Sequence, residues 1–296
     1  MRERSKPIMR TAGILGICCW LAAVFSTFGS RAANVSDRSS QGHVEIDYAV
    51  QQDFSLHEPI VVSFSVHNGL SRPIKLTLGA QGKQFFKLSL TTPDGRVFES
   101  DRRAGSTVSV VTFDGEGEKV LAPGENYHQP LLINQWFAFD APGQYLLTSQ
   151  LSTSIEVSGD GTLPPQTQST RFRVSPRDPA RLEKVCSELI KHVENATNVE
   201  AEREPALALS YINDPIAVPY LAQMLSHHRL NYRLAIAGLE RIGNDAAIEV
   251  LLTTMNDTYG DMGDLSRQAL TRVQDRIPNA NLKETVRRAL GSKRSD

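Results

Sequence analysis

Cysteine is almost absent from this chain: of 296 residues only three are cysteine, and two of them, Cys18 and Cys19, sit inside an apolar run near the N-terminus. Cys186, the third, has no second thiol in the rest of the chain, which excludes a disulfide scaffold and leaves packing to supply stability. An excess of charge of one sign is also missing, with 32 Lys and Arg against 33 Asp and Glu. That balance excludes the basic face through which proteins hold phosphate backbones, so no nucleic-acid partner is expected. No G-x-S-x-G elbow, phosphate-binding glycine loop or dinucleotide fingerprint occurs, and His57-Glu58 runs on into Pro59-Ile60-Val61 rather than completing a zinc-binding H-E-x-x-H. No cofactor is implied, and the hydrolase and nucleotide classes lose their usual sequence support.

What is present begins with Arg2, Arg4, Lys6 and Arg10, followed by the apolar stretch Thr11 to Phe28 and the small residues Ser30 and Ala32. This order reads as a signal peptide over 1–32, followed by a flexible linker over 33–42, and predicts a secreted or periplasmic protein. An uncleaved segment would instead serve as an N-terminal membrane anchor. Removing residues 1–32 leaves 27 basic against 32 acidic residues, a mildly acidic chain.

Two periodicities divide the remainder. From His43 to Ser175 apolar residues alternate, as in Ile60, Val62, Phe64, Val66 and in Phe86, Leu88, Leu90. Alternation predicts half-buried strands, and Asn68-Gly69, Pro93-Asp94-Gly95, Pro123-Gly124 and Pro142-Gly143 predict reversals between them. Eight to ten short strands are expected, with 156–169 as a long loop before the last, giving an antiparallel β-sandwich over 43–175. After Ser175-Pro176 the period becomes helical. The motifs Ala208-Leu209-Ser210-Tyr211-Ile212, Gly238-Leu239-Glu240-Arg241-Ile242 and Ala269-Leu270-Thr271-Arg272-Val273 recur at spacings of 30 and 31 residues. That recurrence predicts stacked helix pairs over 178–291, with Asp214 and Asp245 capping their helices.

The opening Asp214-Pro215-Ile216-Ala217-Val218-Pro219-Tyr220-Leu221, with the Ala/Gly-Leu-x-x-Ile pattern, resembles short bacterial HEAT-like repeats. Val62 to Asn68, Leu121-Ala122-Pro123-Gly124-Glu125 and Pro142-Gly143-Gln144-Tyr145-Leu146 resemble the Ig-like domains of bacterial intracellular proteinase inhibitors and of the N-terminal parts of deuterolysin-like metallopeptidases. The resemblances imply an antiparallel Ig-like β-sandwich followed by an all-α HEAT-like helical-repeat solenoid, and neither carries a catalytic residue onto this chain.

The function expected is non-enzymatic binding of another protein. The candidate partner-binding residues are Asp257, Tyr259, Asp261, Met262 and Asp264, in a lengthened loop between helices of the last repeat. Two alternatives are kept. A protease-inhibitor-like module would place the 102–109 loop in a protease cleft, and an enzyme of unfamiliar type would bind a metal at Asp257, Asp261 and Asp264, although their spacing is wrong for an EF-hand. His227 and His228 read as a helix end, Cys186 as a small buried hydrophobe, and Trp136, Phe137 and Phe139 as mostly core.

Overall fold

The computed structural model describes residues 42–77, 86–100, 118–151, 155–158, 161–227, 231–257 and 259–291. The expected signal segment, most of the linker, the 102–109 loop and His228 all lie outside the described residues.

In chain order the strands are β1 (Val44–Val50), β2 (Asp53–Ser55), β3 (Val61–Asn68), β4 (Ile74–Leu76), β5 (Phe86–Thr91), β6 (Val97–Glu99), β7 (Lys119–Leu121), β8 (Asn126–Leu132), β9 (Gly143–Leu151), β10 (Ile155–Val157), β11 (Gly161–Leu163) and β12 (Thr167–Ser175). The helices follow: α1 (Pro179–Asn195), α2 (Val199–Ser210), α3 (Val218–His227), α4 (Tyr232–Ile242), α5 (Asp245–Thr254), α6 (Met262–Val273) and α7 (Ala280–Gly291). Compactness places Ser40–Asp296 in one unit.

The described chain is a mixed α/β fold, which corrects the expected two-layer β-sandwich followed by an all-α HEAT-like solenoid. The strands form three sheets, in the orders β1-β3-β8, β11-β10-β4-β7 and β2-β12-β9-β5-β6. The last is mixed, because β2 runs parallel to β12, with Asp53, Phe54 and Ser55 opposite Arg173, Val174 and Ser175. The stretch expected as a loop before the last strand contains β10 and β11, an antiparallel hairpin. Its Gly161-Thr162-Leu163 strand buries nothing fully, so no alternation announces it.

A long ribbon joins the β1-β3-β8 sheet to the sheet that holds β4 and β7. β3 pairs with β8 and β4 with β7, and the two pairs are continuous through Asn68. Fully buried Asn68 donates its side-chain amide to the carbonyls of Arg72 and Leu121 at 3.0 Å each, and accepts from the Leu70 N–H at 3.1 Å. Its carbonyl also takes the Gly124 N–H at 2.7 Å. Asn68-Gly69 therefore bends the ribbon from one sheet into the next and does not reverse the chain.

The alternating strands pack one core, centred on Phe54, Val62, Phe64, Leu88, Leu90, Leu147 and Phe172. Phe137 and Phe139 are buried there and Trp136 packs against it, but they follow a 3₁₀ turn at Ile133–Gln135 and do not continue the strand. A second core lies among the helices. It includes Cys186, whose thiol burial pushes up to about 12.

The helices keep the 30-residue offset but do not make a separate stack. The three motif copies close α2, α4 and α6, yet the helices do not complete their core among themselves. The sheets complete the core instead: Leu132 of β8 is buried among the helices, and Val61 of β3 packs there too. Local rules still set the helix ends. Asp178, Asn198 and Asn244 accept N-cap bonds, and Gly243 ends α4 in the left-handed region at φ 59°. Asn244, rather than Asp245, is the cap of α5, and Asp214 caps the 3₁₀ turn Pro215–Ala217.

Candidate functional site

The expected partner-binding residues lie between the end of α5 and the first turn of α6. The loop is bonded to itself: the Asp257 N–H donates to the Thr254 carbonyl at 2.9 Å, the Tyr259 N–H to Asp257 Oδ1 at 2.8 Å, and the Met262 N–H to the Tyr259 carbonyl at 3.1 Å. Gly263 lets it sit tightly on the helix, since a Cβ there would lie 2.5 Å from the Asp257 carbonyl oxygen.

The start of α4 then holds the loop from outside. The Tyr232 hydroxyl donates to Asp261, and Arg233 donates to the same carboxylate at 2.5 Å. Tyr259 stands edge-on to the Tyr232 ring, with centroids 6.0 Å apart and planes at 87°, while the Arg233 guanidinium lies 5.7 Å over that ring. The outcome is a patch in which Tyr259, 38% exposed, and the Arg233 guanidinium both pack on the Tyr232 ring, with Asp264 exposed in the first turn of α6. Met262 is buried in the helical core at 1% exposure. Asp257, Tyr259, Asp261 and Asp264 are thus the part of the set that the surface can present.

Tyr232 and Arg233 were not singled out from the sequence, and the signal for them is an offset. Asp261 bonds back 29 residues to Tyr232, as Asn231 bonds back 29 residues to Glu202 at 2.8 Å. The residues preceding α4 and α6 are thus latched to α2 and α4, two helices back. The far ends of the same helices are latched too, by Arg241 on the Ser210 carbonyl and by Arg272 forked onto Glu240 at 2.6 and 2.7 Å.

A second polar cluster lies where sheets meet helices. Glu58, whose side chain is 3% exposed, accepts from the Ser55 N–H at 2.7 Å and from Arg181 Nε at 2.8 Å. Burial pushes its carboxyl up, against the opposing pull of that amide and of Arg181. Arg177 forks onto Asp214, 1% exposed, at 2.5 and 3.0 Å. Burial alone would raise Asp214, but the Arg177 fork and the Ile216 amide hold it below the usual carboxylate range. These groups are spent on one another. Among the described residues no group of three or more His, Cys, Asp or Glu stands close enough to hold a metal ion, and no helix is long and apolar enough to cross a membrane.

No family model matches the chain, and no curated protein matches it. Solved structures of a β-glucosidase from Listeria innocua, in complex with gluconolactone and with glucose, align with 47% of this chain and 17% of theirs at 13% and 12% identity. A mutant of that enzyme in complex with laminaribiose aligns over the same shares. The TM-score is 0.24 in all three, which carries no argument about this chain, and the chain spans well under a fifth of those structures' length.

Proposed function

We propose that this chain is a non-enzymatic binding protein that acts by contact with another protein, and that the Tyr259 patch is its recognition surface. The observation that carries the reading is Tyr259 held edge-on to the Tyr232 ring, which Arg233 also overlies. Tyrosine and arginine are the residue types in which binding energy concentrates at protein interfaces. A loop already tied by its own amides, by Tyr232 and by Arg233 loses little further freedom when a partner covers it, so less of the contact energy is consumed in ordering. Asp257 and Asp264 at its margin tune which partner charges are accepted.

The test is crosslinking of the tagged full chain in its own cells, comparing wild type with Tyr259→Ala and with the surface control Glu284→Gln, whose i,i+4 pair with Arg288 is exposed. A hot-spot tyrosine is worth about 2 kcal/mol or more, roughly 30-fold in affinity. Tyr259→Ala is therefore expected to lose a protein that wild type and Glu284→Gln both retain. An identical set of captured proteins for all three removes this patch as the recognition surface.

A further inference from the structure

The segment Asp53–Ile60 lies against the passage from β12 into α1 and is bonded to it at several points. Its bonds run in three directions. Toward the end of β12, the Leu56 N–H donates to the Ser175 carbonyl at 3.0 Å and the Ser175 hydroxyl to Asp53 at 2.8 Å. Toward α1, Ser55 Oγ accepts the Asp178 N–H at 2.9 Å, Glu58 accepts from Arg181, and the Asp53 carbonyl accepts from Arg181 Nη2 at 2.8 Å. Toward the 3₁₀ turn Ile133–Gln135, the Ile60 N–H donates to Asn134 Oδ1 at 2.6 Å. The neighbouring Arg177–Asp214 fork ties the same passage to the turn that opens α3.

Within this segment His57 has φ 73°, the positive value that β-carbon-bearing residues avoid. Such a conformation persists only where the surroundings over-determine it. The surroundings here come from both cores. Leu132, at the end of β8, is buried among the helices, and Val61, directly after the segment, packs against them.

From these contacts we infer that Asp53–Ile60, with Arg177, Arg181 and Asp214, is a clasp that makes the sheets and the helices unfold as one cooperative unit. Helices that melted alone would expose Leu132 and release Arg181 from Glu58. His57 would then be free to relax, so the sheets would lose part of what sets their own edge at β2. The clasp lies apart from the Tyr259 patch and does not depend on the binding role.

The test follows two probes through urea unfolding of the full chain in a Trp20→Phe background, where Trp136 is the remaining one of the two tryptophans. Trp136 packs against the sheet core, so its fluorescence reports the sheets while far-UV circular dichroism is dominated by the helices. Coincident transitions are expected in this parent chain. In Glu58→Gln/Asp214→Asn they are expected to separate by about 0.5 M urea or more. Asp214→Asn alone is expected to separate them in the same sense by less, and serves if the double variant does not fold. Separate transitions in the parent chain overturn the proposal, as do transitions that remain coincident in the variants, whether or not their midpoint moves.

Discussion

At Gly263 a single missing methyl decides the shape of the candidate site. Alanine in a helix ordinarily gains about 1 kcal/mol over glycine. Here the new Cβ would stand 2.5 Å from the Asp257 carbonyl oxygen and 2.9 Å from that of Met255, both backbone atoms that cannot swing aside. Overpacking of this kind costs about 1–3 kcal/mol, so the clash outweighs the propensity. Gly263→Ala is expected to lower the thermal midpoint and to displace the loop, weakening partner capture along with Tyr259→Ala. A raised midpoint in a thermal melt would show that the approach is not so close. Asp214 carries a second expectation at this scale. Its carboxyl lies below the ordinary 3.8, so its stabilisation is in place above that value and is lost as pH falls through the lower folded value. Glu58 acts in the opposite sense: its folded value is raised above 4.5, so its ionisation costs stability as pH rises from there. Below about pH 4 the Glu58 effect is absent and the Asp214 effect remains. Thermal midpoints measured from pH 3 to 6 are expected to fall less steeply at the acid end in Asp214→Asn than in wild type.

Among the elements, Asn68 is the position where one side chain serves two sheets. Truncating it to alanine leaves the Arg72 and Leu121 carbonyls and the Leu70 N–H without its bonds in a buried bend. Each buried orphan costs about 1–3 kcal/mol, partly recovered by relaxation, so Asn68→Ala is expected to lose about 2–4 kcal/mol in denaturant unfolding. Asn68→Asp, which keeps the acceptor and loses the donors, is expected to be no better. The strands whose faces differ in solvent access were legible in the sequence, because alternation records that difference: Val44–Val50 reads buried, exposed, buried along its length, and Phe86–Thr91 does the same. The partition into three sheets was not legible, since it depends on which backbones pair across β4, β7 and β10, and their three-residue lengths hold too little pattern. The β10–β11 hairpin hid behind glycine and polar residues for the same reason. The acidic loop of the candidate site could be found by composition, whereas Tyr232 and Arg233 belong to it only through a contact made 29 and 28 residues away.

For the molecule as a whole, the sharing of Leu132 has a measurable cost. It belongs to a strand yet is buried at 6% exposure among helices. Leucine-to-alanine truncation in a core costs about 2–5 kcal/mol. Leu132→Ala is expected to lower the urea midpoint seen by helical circular dichroism as much as the one seen by Trp136 fluorescence. A loss confined to the fluorescence signal would place Leu132 in the sheet core alone.

Among the described residues no strand pairs with the outer edge of β1, yet its backbone is occupied. Gln168 of β12 accepts from the Tyr48 N–H at 3.2 Å and donates to the Ile46 carbonyl, while the Thr170 hydroxyl donates to the Tyr48 carbonyl at 3.2 Å. Two side chains thus stand where a neighbouring backbone would otherwise bind, and a foreign strand must displace both before it can add. The practical consequence is colloidal: this edge is expected not to template fibres at high concentration. The protection is written in the amide of one residue and the hydroxyl of another, both on a strand that belongs to a different sheet.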